Sequence, residues 1–386
     1  MAGVQQTDFG HIQPARSFCS SDKAKCERDR LRRRTPAMTN SPDLSTTKLR
    51  ITAIVPAYNE AESIAGTIHS LLRQTHPPEE IIVVDDFSTD GTGDIARSFG
   101  VTVVRPPQNT GSKAGAQTFA LPFVRTEFCM AIDADTELAL DAVETILAAM
   151  QDETVAAACG SVLPRYVRTV WERGRYIEYL FAFSFFKPIQ DFYGKPMISS
   201  GCFSAYRTDI LRQVGGWSNR TMAEDMDLTW TLYDKGYGVR FVPEAVCYPI
   251  EPHNYHFMSK QLRRWSHGFV QNVRLHWRQL IEQPYLRTAV VVQLWDAGIS
   301  SATYFILLPL LAILIHPLFL LGYVIDLPAV AVPAMAKGLQ RGELGRVIAS
   351  LPCFIVLRLV NAVFLLRALW CEFVLGRTLL VYEKGH

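Results

Sequence analysis

Short apolar runs alternate with amphipathic stretches along the chain after residue 50. Residues 51–55, 81–84 and 101–104 are rich in β-branched side chains, which favour strands. Residues 62–72 and 93–99 lie between those runs and have the apolar spacing of helices. Strands that alternate with helices at this spacing predict βαβ units and therefore an α/β domain with a mainly parallel sheet.

The pattern changes towards the C-terminus. Residues 303–325 form a stretch of 23 residues without Asp, Glu, Lys or Arg, which is long enough as a helix to cross a bilayer. Residues 347–366 are also long enough, and they carry Arg358 and Asn361, which at membrane depth usually face a cavity or a partner helix. Residues 327–336 are too short to span and indicate a re-entrant or interfacial segment. We predict about two transmembrane helices.

The composition fits a globular protein with a local membrane contribution. The chain is 49% hydrophobic and 20% charged, with a mean hydropathy of +0.09. This apolar content excludes a disordered protein, and the net charge of +2 argues against a dedicated nucleic-acid binder. Residues 1–50 hold ten Lys and Arg against five Asp and Glu. We predict a disordered basic tail over residues 1–50, a globular domain over 51–280 and a membrane domain over 281–386.

Acidic side chains follow two of the predicted strands. Asp85 and Asp86 come after the run at 81–84, while Asp133 and Asp135 come after an apolar run that ends at residue 132. In an open parallel sheet, ligands bind beyond the carboxyl ends of the strands. An acidic strand end is often only a helix cap, but two in one sheet favour a binding site. Asp133 and Asp135 place two hard oxygen ligands on one face of an extended segment, which suits Mg²⁺ or Mn²⁺.

Three further segments carry charged or aromatic side chains that suit chemistry, and each also has a plain structural explanation. Residues 111–115 form a small-residue loop with one cation, Lys113, which suits phosphate, although the full P-loop pattern is missing. Residues 224–225 are two adjacent acids, which also stabilise a helix N-terminus. Residues 261–265 combine two arginines with a tryptophan, a set that is ordinary near a membrane surface. Their combined order is what indicates an enzyme.

These segments together resemble glycosyltransferase family 2, in its processive branch of hyaluronan, chitin-oligosaccharide, cellulose and poly-N-acetylglucosamine synthases. The resemblance runs from about residue 50 to residue 277. It rests on seven ordered segments: 54–60 (IVPAYNE), 83–90 (VVDDFSTD), 109–116 (NTGSKAGA), Asp133-Ala134-Asp135, 200–207 (SGCFSAYR), Ala223-Glu224-Asp225, and Gln261, Arg264 and Trp265 in the pattern Gln-x-x-Arg-Trp. The resemblance implies a GT-A nucleotide-diphospho-sugar transferase domain followed by C-terminal transmembrane and interfacial helices.

On the donor side, the resemblance implies a site for a UDP-sugar. Asp85 or Asp86 is expected to hold the uracil or the ribose. Lys113 and Asp133 are expected to contact the nucleotide, and Asp133 with Asp135 is expected to hold Mg²⁺ or Mn²⁺ on the diphosphate. Such a metal stabilises the negative charge that grows on the departing UDP.

On the acceptor side, the resemblance implies an inverting transfer. Asp225 is expected to act as the general base that removes the proton of the acceptor hydroxyl. Arg264 is expected to pair with the diphosphate through its guanidinium group, and Trp265 offers a flat face to the acceptor sugar. Glu224 and Gln261 complete the expected acceptor site.

These residues predict a multi-pass membrane enzyme with a cytoplasmic catalytic domain, which extends a β-linked polysaccharide with N-acetylglucosamine or glucose. A second interpretation is the transfer of one sugar to a lipid acceptor, as by a ceramide glucosyltransferase-like enzyme. A third is a scaffold or sugar-nucleotide sensor without catalysis, which the presence of every expected catalytic residue disfavours. The expected partners are the UDP-sugar donor, a carbohydrate or lipid acceptor and the bilayer, with no nucleic acid.

Some residues depart from the family pattern. Phe87 stands where Gly is usual, and Ala223 replaces a Thr next to the expected base. Relatives often have membrane helices before the catalytic domain, and residues 1–50 have no such run. We therefore expect assembly with copies or an export partner rather than a channel in a single chain. The aromatic stretch 170–186 is expected to serve mainly in core packing, with acceptor binding or membrane contact as the alternatives.

Overall fold

The computed structural model describes residues 49–379. The predicted basic tail therefore lies, up to residue 48, outside the described residues. The strands are β1 (Ile51–Ala57), β2 (Glu80–Asp85), β3 (Thr102–Val104), β4 (Phe128–Ile132), β5 (Glu137–Leu138), β6 (Val155–Val162), β7 (Phe203–Arg207) and β8 (Gly238–Tyr248).

These strands form one eight-stranded sheet in the order β3-β2-β1-β4-β7-β6-β8-β5. The half that contains β3, β2, β1 and β4 is wholly parallel, as the alternating pattern predicted. In the other half, β7 runs antiparallel to both β4 and β6, while β8 runs parallel to β6. Because β1 lies between β2 and β4, the loops that follow β1, β2 and β4 meet at one edge of the sheet.

Helices cover both faces of the sheet and continue into the C-terminal region. They are α1 (Ile64–Leu72), α2 (Thr92–Ser98), α3 (Lys113–Ala120), α4 (Ala142–Ala149), α5 (Val170–Phe181), α6 (Lys187–Phe192), α7 (Thr208–Gln213), α8 (Glu224–Asp234), α9 (Tyr255–Leu275), α10 (Trp277–Glu282), α11 (Pro284–Trp295), α12 (Leu308–Leu314), α13 (Leu327–Gln340) and α14 (Leu344–Leu369). The predicted elements before residue 133 agree with these bounds to within about two residues.

The parallel strands are buried on both faces. In β2, Ile82 and Val84 pack into one hydrophobic cluster, whereas Ile81 and Val83 pack into the cluster on the opposite face. This alternation follows from the period of two in a strand. Burial on both sides also explains why these strands read in the sequence as continuous apolar runs rather than as alternating ones.

Up to residue 379, where the description ends, the C-terminal region contains three helical segments that are long and apolar enough to cross a membrane, where the sequence predicted about two. They are Pro284–Leu314, Pro317–Gln340 and Leu344–Val374. The charge-free stretch at 303–325 is divided, because the backbone leaves the helical conformation at His316 and a new helical segment begins at the next residue. The short stretch at 327–336 is part of the second segment. We call these segments span 1, span 2 and span 3.

The two polar residues of span 3 that the sequence singled out, Arg358 and Asn361, have partners, as expected for ionisable and amide groups in a membrane helix. Arg358 donates to Asp326 at 2.6 Å and to the carbonyl of Tyr323 at 2.7 Å. Asn361 donates at 3.1 Å to Glu178 on α5. Span 3 is therefore joined by a polar contact to the domain that carries the sheet.

The aromatic stretch divides into a packed part and an exposed part. Tyr176 is buried, and Tyr179 and Phe183 pack against core clusters, as the sequence predicted. Phe185 and Phe186 instead remain exposed, because a π-helical turn at Ala182–Phe186 changes the face that the helix presents.

Candidate active site

The two acidic strand ends lie at the same edge of the sheet. Asp85 is the last residue of β2, and Asp133 and Asp135 follow β4. Strands β2 and β4 flank β1 and run parallel to it, so their carboxyl ends point the same way. The structure thus places the predicted donor-side aspartates around the crevice where an open α/β sheet binds its ligands.

Asp85 and Asp86 are buried, and both accept hydrogen bonds from nearby loops. The carboxylate of Asp85 accepts from the backbone N–H of Ser88 at 2.9 Å and from Arg105 at 3.1 Å. The carboxylate of Asp86 accepts from the backbone N–H of Thr110 at 2.8 Å and from its hydroxyl at 2.7 Å. Both side chains therefore fix the loops that border the donor crevice, and their contact with uracil or ribose stays a prediction.

Lys113 connects several loops of the site. It is the first residue of α3, whose N-cap Ser112 accepts a hydrogen bond from the third residue of the helix. The Lys113 ammonium group forms an ion pair with Asp133 and donates to the carbonyl of Gly201 at 2.9 Å. It also lies 3.8 Å from the carboxylate of Glu224. Lys113 and Asp133, which the sequence assigned to the same nucleotide, are thus in contact.

Gly201 joins the donor side to the acceptor side. Its N–H donates at 2.9 Å to the carboxylate of Asp225, while its carbonyl accepts from Lys113. A Cβ atom at this position would lie 3.1 Å from both the Asp225 carboxylate and the Lys113 nitrogen. The small loop residue therefore allows the expected base and the expected phosphate ligand to approach each other.

The two acids at the start of α8 are in different environments. Glu224 is buried, and burial raises its pKa above the usual range. Lys113 and Arg264 oppose that rise, whereas the neighbouring Asp225 adds to it. Asp225 is less buried than Glu224 and accepts hydrogen bonds from the N–H groups of Gly201 and Met226. These contacts fix the Asp225 carboxylate at the point where the loop at Gly201 meets the start of α8.

Helix α9 carries the Gln-x-x-Arg-Trp residues and lies against the start of α8. Gln261 accepts a hydrogen bond from Arg175 at 2.6 Å and donates to Glu251 at 3.3 Å. The guanidinium group of Arg175 also lies 4.5 Å from the centre of the Trp265 ring, which is 38% exposed. The structure thus places Gln261 and Trp265 on α9 with the Trp265 ring accessible, while Glu224, the third predicted acceptor residue, lies at the start of α8.

A buried polar cluster beneath this helix was missed by sequence reasoning. We call Arg175, Glu178, Tyr179 and Glu251 the α5 cluster. Arg175 is fully buried and forms ion pairs with Glu178 and, at 3.5 Å, with Glu251, which also accepts from the hydroxyl of Tyr179 at 2.8 Å. In the sequence, Arg175 and Glu178 look like an ordinary pair on a helix surface, because nothing local reveals that they face α9.

The carboxylates after β4 form a set of donors that fits a divalent cation. Asp135 is buried, and the Asp133 side chain is partly exposed to the crevice and contacts Lys113. Within residues 49–379, no group of three or more His, Cys, Asp or Glu side chains is arranged to hold a metal by itself. Two carboxylates fit Mg²⁺ or Mn²⁺ when substrate phosphates and water supply the remaining oxygens, which is the usual arrangement for Mg²⁺.

The comparisons with known proteins agree with this fold. Residues 52–215 match the family model described as glycosyl transferase family 2. The chain therefore carries a glycosyltransferase family 2 domain, and the resemblance noted from its motifs is confirmed.

Two curated relatives extend the similarity. One is the Escherichia coli (strain K12) protein named "Uncharacterized glycosyltransferase YaiP", which is 31% identical over 66% of this chain and 66% of its own length. The other is the poly-beta-1,6-N-acetyl-D-glucosamine synthase of Staphylococcus aureus (strain COL), which is 27% identical over 60% of this chain and 58% of its own length. The chain thus spans somewhat less than two thirds of the length of each relative. The similarity to the second relative supports the processive-type branch of the family.

A solved structure shares the fold. The mannosyltransferase PcManGT from Pyrobaculum calidifontis, in complex with GDP-Man and Mn²⁺, superposes with a TM-score of 0.56 at 21% identity. The match covers 91% of this chain and 94% of that chain. This likeness confirms the GT-A-like fold class that the sequence predicted.

Because α9 packs closely against the start of α8, the addition of one methyl group at Gly268 should have a large effect. A Cβ atom there would lie 2.6 Å from the Cβ atom and 2.7 Å from the backbone nitrogen of Ala223, so the backbone of one helix would have to shift. Gly268→Ala is expected to displace α9 from Asp225, lowering stability by about 1–3 kcal/mol and turnover at least tenfold. Thermal unfolding and donor turnover measure both effects.

The matched control is Gly345→Ala. Gly345 also lies in a helix, but its Cβ would meet no atom within 4 Å, so this change should be neutral or stabilising. Normal stability and normal turnover of Gly268→Ala would contradict the close packing of α9 on α8.

Proposed function

We propose that the chain is a membrane-bound inverting glycosyltransferase that transfers N-acetylglucosamine or glucose from a UDP-sugar to a growing β-linked polysaccharide. The single observation that carries this proposal is the junction at Gly201. There the donor-side Lys113 and the acceptor-side Asp225 are both hydrogen-bonded to one residue. An enzyme that joins a nucleotide-bound sugar to an acceptor hydroxyl requires such an approach of a phosphate ligand and a base.

The residues of the site suit a single displacement. Asp225 takes the proton of the acceptor hydroxyl, and the freed oxygen attacks the anomeric carbon on the face opposite the diphosphate. The bond between that carbon and the diphosphate oxygen breaks, and UDP leaves with the electron pair. Lys113 and Arg264 then face the charge that develops on the diphosphate. A divalent cation held by Asp133 and Asp135 would stabilise the same charge.

The acceptor side offers surfaces that suit a sugar chain. Trp265 presents a partly exposed ring on which a pyranose can stack, and the guanidinium group of Arg175 contacts that ring. Gln261 is held by Arg175 and Glu251 at the same helix. We assign Gln261, Glu224 and Trp265 to acceptor binding, with Asp225 between them and the donor.

The C-terminal spans support a location at the bilayer. Three helical segments have the length and hydropathy for crossing a membrane, and span 3 contacts α5 through Asn361 and Glu178. We propose that the catalytic domain lies on the cytoplasmic side, where UDP-sugars are available, and that product export requires further copies or a partner protein.

The contact of span 3 with the α5 cluster also favours a second candidate. A polar path leads from Asn361 through Glu178 and Arg175 to Gln261, so the acceptor-side helix lies beside a membrane segment. A lipid-linked acceptor would reach the site along such a segment. The alternative function is therefore the transfer of one sugar to a lipid.

The product of the reaction separates these two candidates. Purified membranes that contain the chain are incubated with a panel of UDP-sugars and Mg²⁺ or Mn²⁺, and the products are sized. We expect consumption of UDP-N-acetylglucosamine or UDP-glucose and a polymer. A single sugar on a lipid would establish the alternative, and membranes that consume no UDP-sugar beyond a vector control would reject the proposed function.

Activity is expected to depend on the divalent cation and on Asp135. EDTA should abolish transfer, and added Mn²⁺ or Mg²⁺ should restore it, because the growing charge of UDP then regains its counterion. Asp135→Ala should lower turnover at least about 100-fold even in excess Mn²⁺, since loss of the cation removes several kcal/mol of transition-state stabilisation. Asp141→Ala, a change of an exposed aspartate in the same region, is the matched control. Full turnover in EDTA would exclude a metal role.

A further inference from the structure

Phe87 has a backbone conformation that is unusual for its side chain. Its φ angle is 68°, and within the described part of the chain only one other non-glycine residue, Asn59, also has a positive φ. Asn tolerates this left-handed region, whereas a bulky residue there is a true outlier. Strained backbone of this kind persists where the surrounding structure imposes it, and it concentrates at functional sites.

The Phe87 ring is not compensated by burial. It is 37% exposed, so the side chain does not gain the stabilisation of a core position. The turn beneath it is fixed by the N–H of Phe87, which donates to the carbonyl of Asp85 at 2.9 Å, and by Ser88, which donates to the Asp85 carboxylate. The fold therefore holds an exposed aromatic ring at the carboxyl end of β2, beside the donor crevice.

Arg105 holds the ring from one side. Its guanidinium group lies 4.7 Å from the centre of the Phe87 ring, within the range of a cation–π contact. The same guanidinium group forms an ion pair with buried Asp85 at 3.1 Å and donates to the carbonyl of Ser88 at 3.5 Å. Arg105 is thus anchored to the loop that carries Phe87 and contacts one face of its ring.

The position of the ring along the crevice indicates what it contacts. Asp86, the residue before Phe87, binds Thr110 in the loop that leads to Lys113. Lys113 is the cation assigned to the diphosphate, so a nucleotide bound there has its phosphates near α3. Asp85 and Asp86, which the sequence assigned to the uracil or the ribose, stand at the end of β2 directly before Phe87. An exposed ring at that end offers a stacking surface, and stacking on an aromatic ring contributes about 1–3 kcal/mol per base.

We propose that Phe87 is a stacking platform for the base of the donor nucleotide and that Arg105 is the positioning residue that orients its ring. This inference rests on the proposed function, because it requires a nucleotide donor. Phe87 would then contribute to the affinity for the nucleotide through its base, and a substitution of Phe87 would leave the contacts to the diphosphate unchanged. The hydrogen bonds of the turn to Asp85 maintain the positive φ angle of Phe87.

The test compares binding of UDP with binding of pyrophosphate, a probe that lacks the base. Phe87→Gly, Phe87→Asn and Phe87→Leu are each expected to weaken UDP binding about tenfold, which corresponds to about 1.4 kcal/mol. Pyrophosphate binding should change less than twofold in all three. Phe87→Tyr, which keeps an aromatic ring, should bind UDP within about twofold of the wild type.

Thermal unfolding separates this role from a structural one. Gly and Asn relieve the backbone strain, so Phe87→Gly and Phe87→Asn should unfold at the wild-type temperature or above it while binding UDP more weakly. Phe123→Leu, at a ring of comparable exposure on the 3₁₀ turn after α3, is the matched control and should retain UDP affinity.

Unchanged UDP affinity in Phe87→Gly, or equal losses for UDP and pyrophosphate, would overturn the stacking role. Both results leave the proposed function intact, because the wild-type chain still binds UDP. Failure of the wild-type chain to bind UDP at all would instead reject the proposed function, and the stacking role with it.

Discussion

Asp225→Asn is expected to lower sugar transfer about 10²–10⁴-fold while UDP affinity stays within about twofold of the wild type. Removal of the carboxylate charge eliminates general-base catalysis, whose contribution is of this size. The amide has the same shape, and its oxygen can still accept the hydrogen bond from the Gly201 N–H, while the bond from the Met226 N–H is lost. The change should therefore affect transfer of the acceptor proton far more than UDP binding, and turnover and UDP-binding measurements resolve the two.

Two further variants make this result specific. Asp234→Asn alters an exposed acid at the end of the same helix and should leave turnover unchanged. Glu224→Gln tests the neighbouring acid, whose pKa is raised by burial. If Glu224→Gln lost turnover about 10²–10⁴-fold while Asp225→Asn kept it, the general base would be Glu224 and our assignment would be wrong.

Arg175→Met is expected to lower stability by about 3–5 kcal/mol. The change leaves Glu178 and Glu251 without their common cation, and breaking a buried ion pair by removing one partner has an effect of this size. The unfolding temperature should fall roughly 4–6 °C for a chain of this length. Because Arg175 also holds Gln261 and Trp265, KM for the acceptor should rise while KM for the donor changes little.

Arg173→Met is the matched control for this prediction. Arg173 lies two residues earlier on the same helix and is only partly buried, so its substitution should change stability by less than about 0.5 kcal/mol. Arg175→Lys keeps the charge but lacks the planar fork, and it should recover stability only in part. Wild-type acceptor KM in folded Arg175→Met would show that Arg175 has no positioning role at the acceptor site.

Much of the fold and of the donor side could be predicted because the signals are local. The continuous β-branched runs before residue 105 predict strands within windows of only four or five residues. Asp85, Asp133 and Asp135 stand at strand ends in the sequence, and parallel strands bring such ends to one edge. The structure confirms that arrangement, while the catalytic and binding roles of these residues stay predictions.

The membrane region shows where local patterns are insufficient. Hydropathy averaged over a window does not detect a break such as the one at His316, which divides residues 303–325 between span 1 and span 2. The sequence also did not show which rings of the stretch 170–186 would stay exposed, because the π-helical turn that rotates Phe185 and Phe186 is not visible in the hydrophobic pattern.

The sequence by itself determined the α/β class, the acidic strand ends and the motifs that lead to glycosyltransferase family 2, because each depends on residues that are neighbours in the chain. Only the tertiary structure decided that Gly201 joins Lys113 to Asp225, and that Arg175 lies beneath Gln261 and Trp265. These contacts link residues about 25 to 90 positions apart. They exist because the packing of α5, α8 and α9 buries polar groups that must then find partners in the fold.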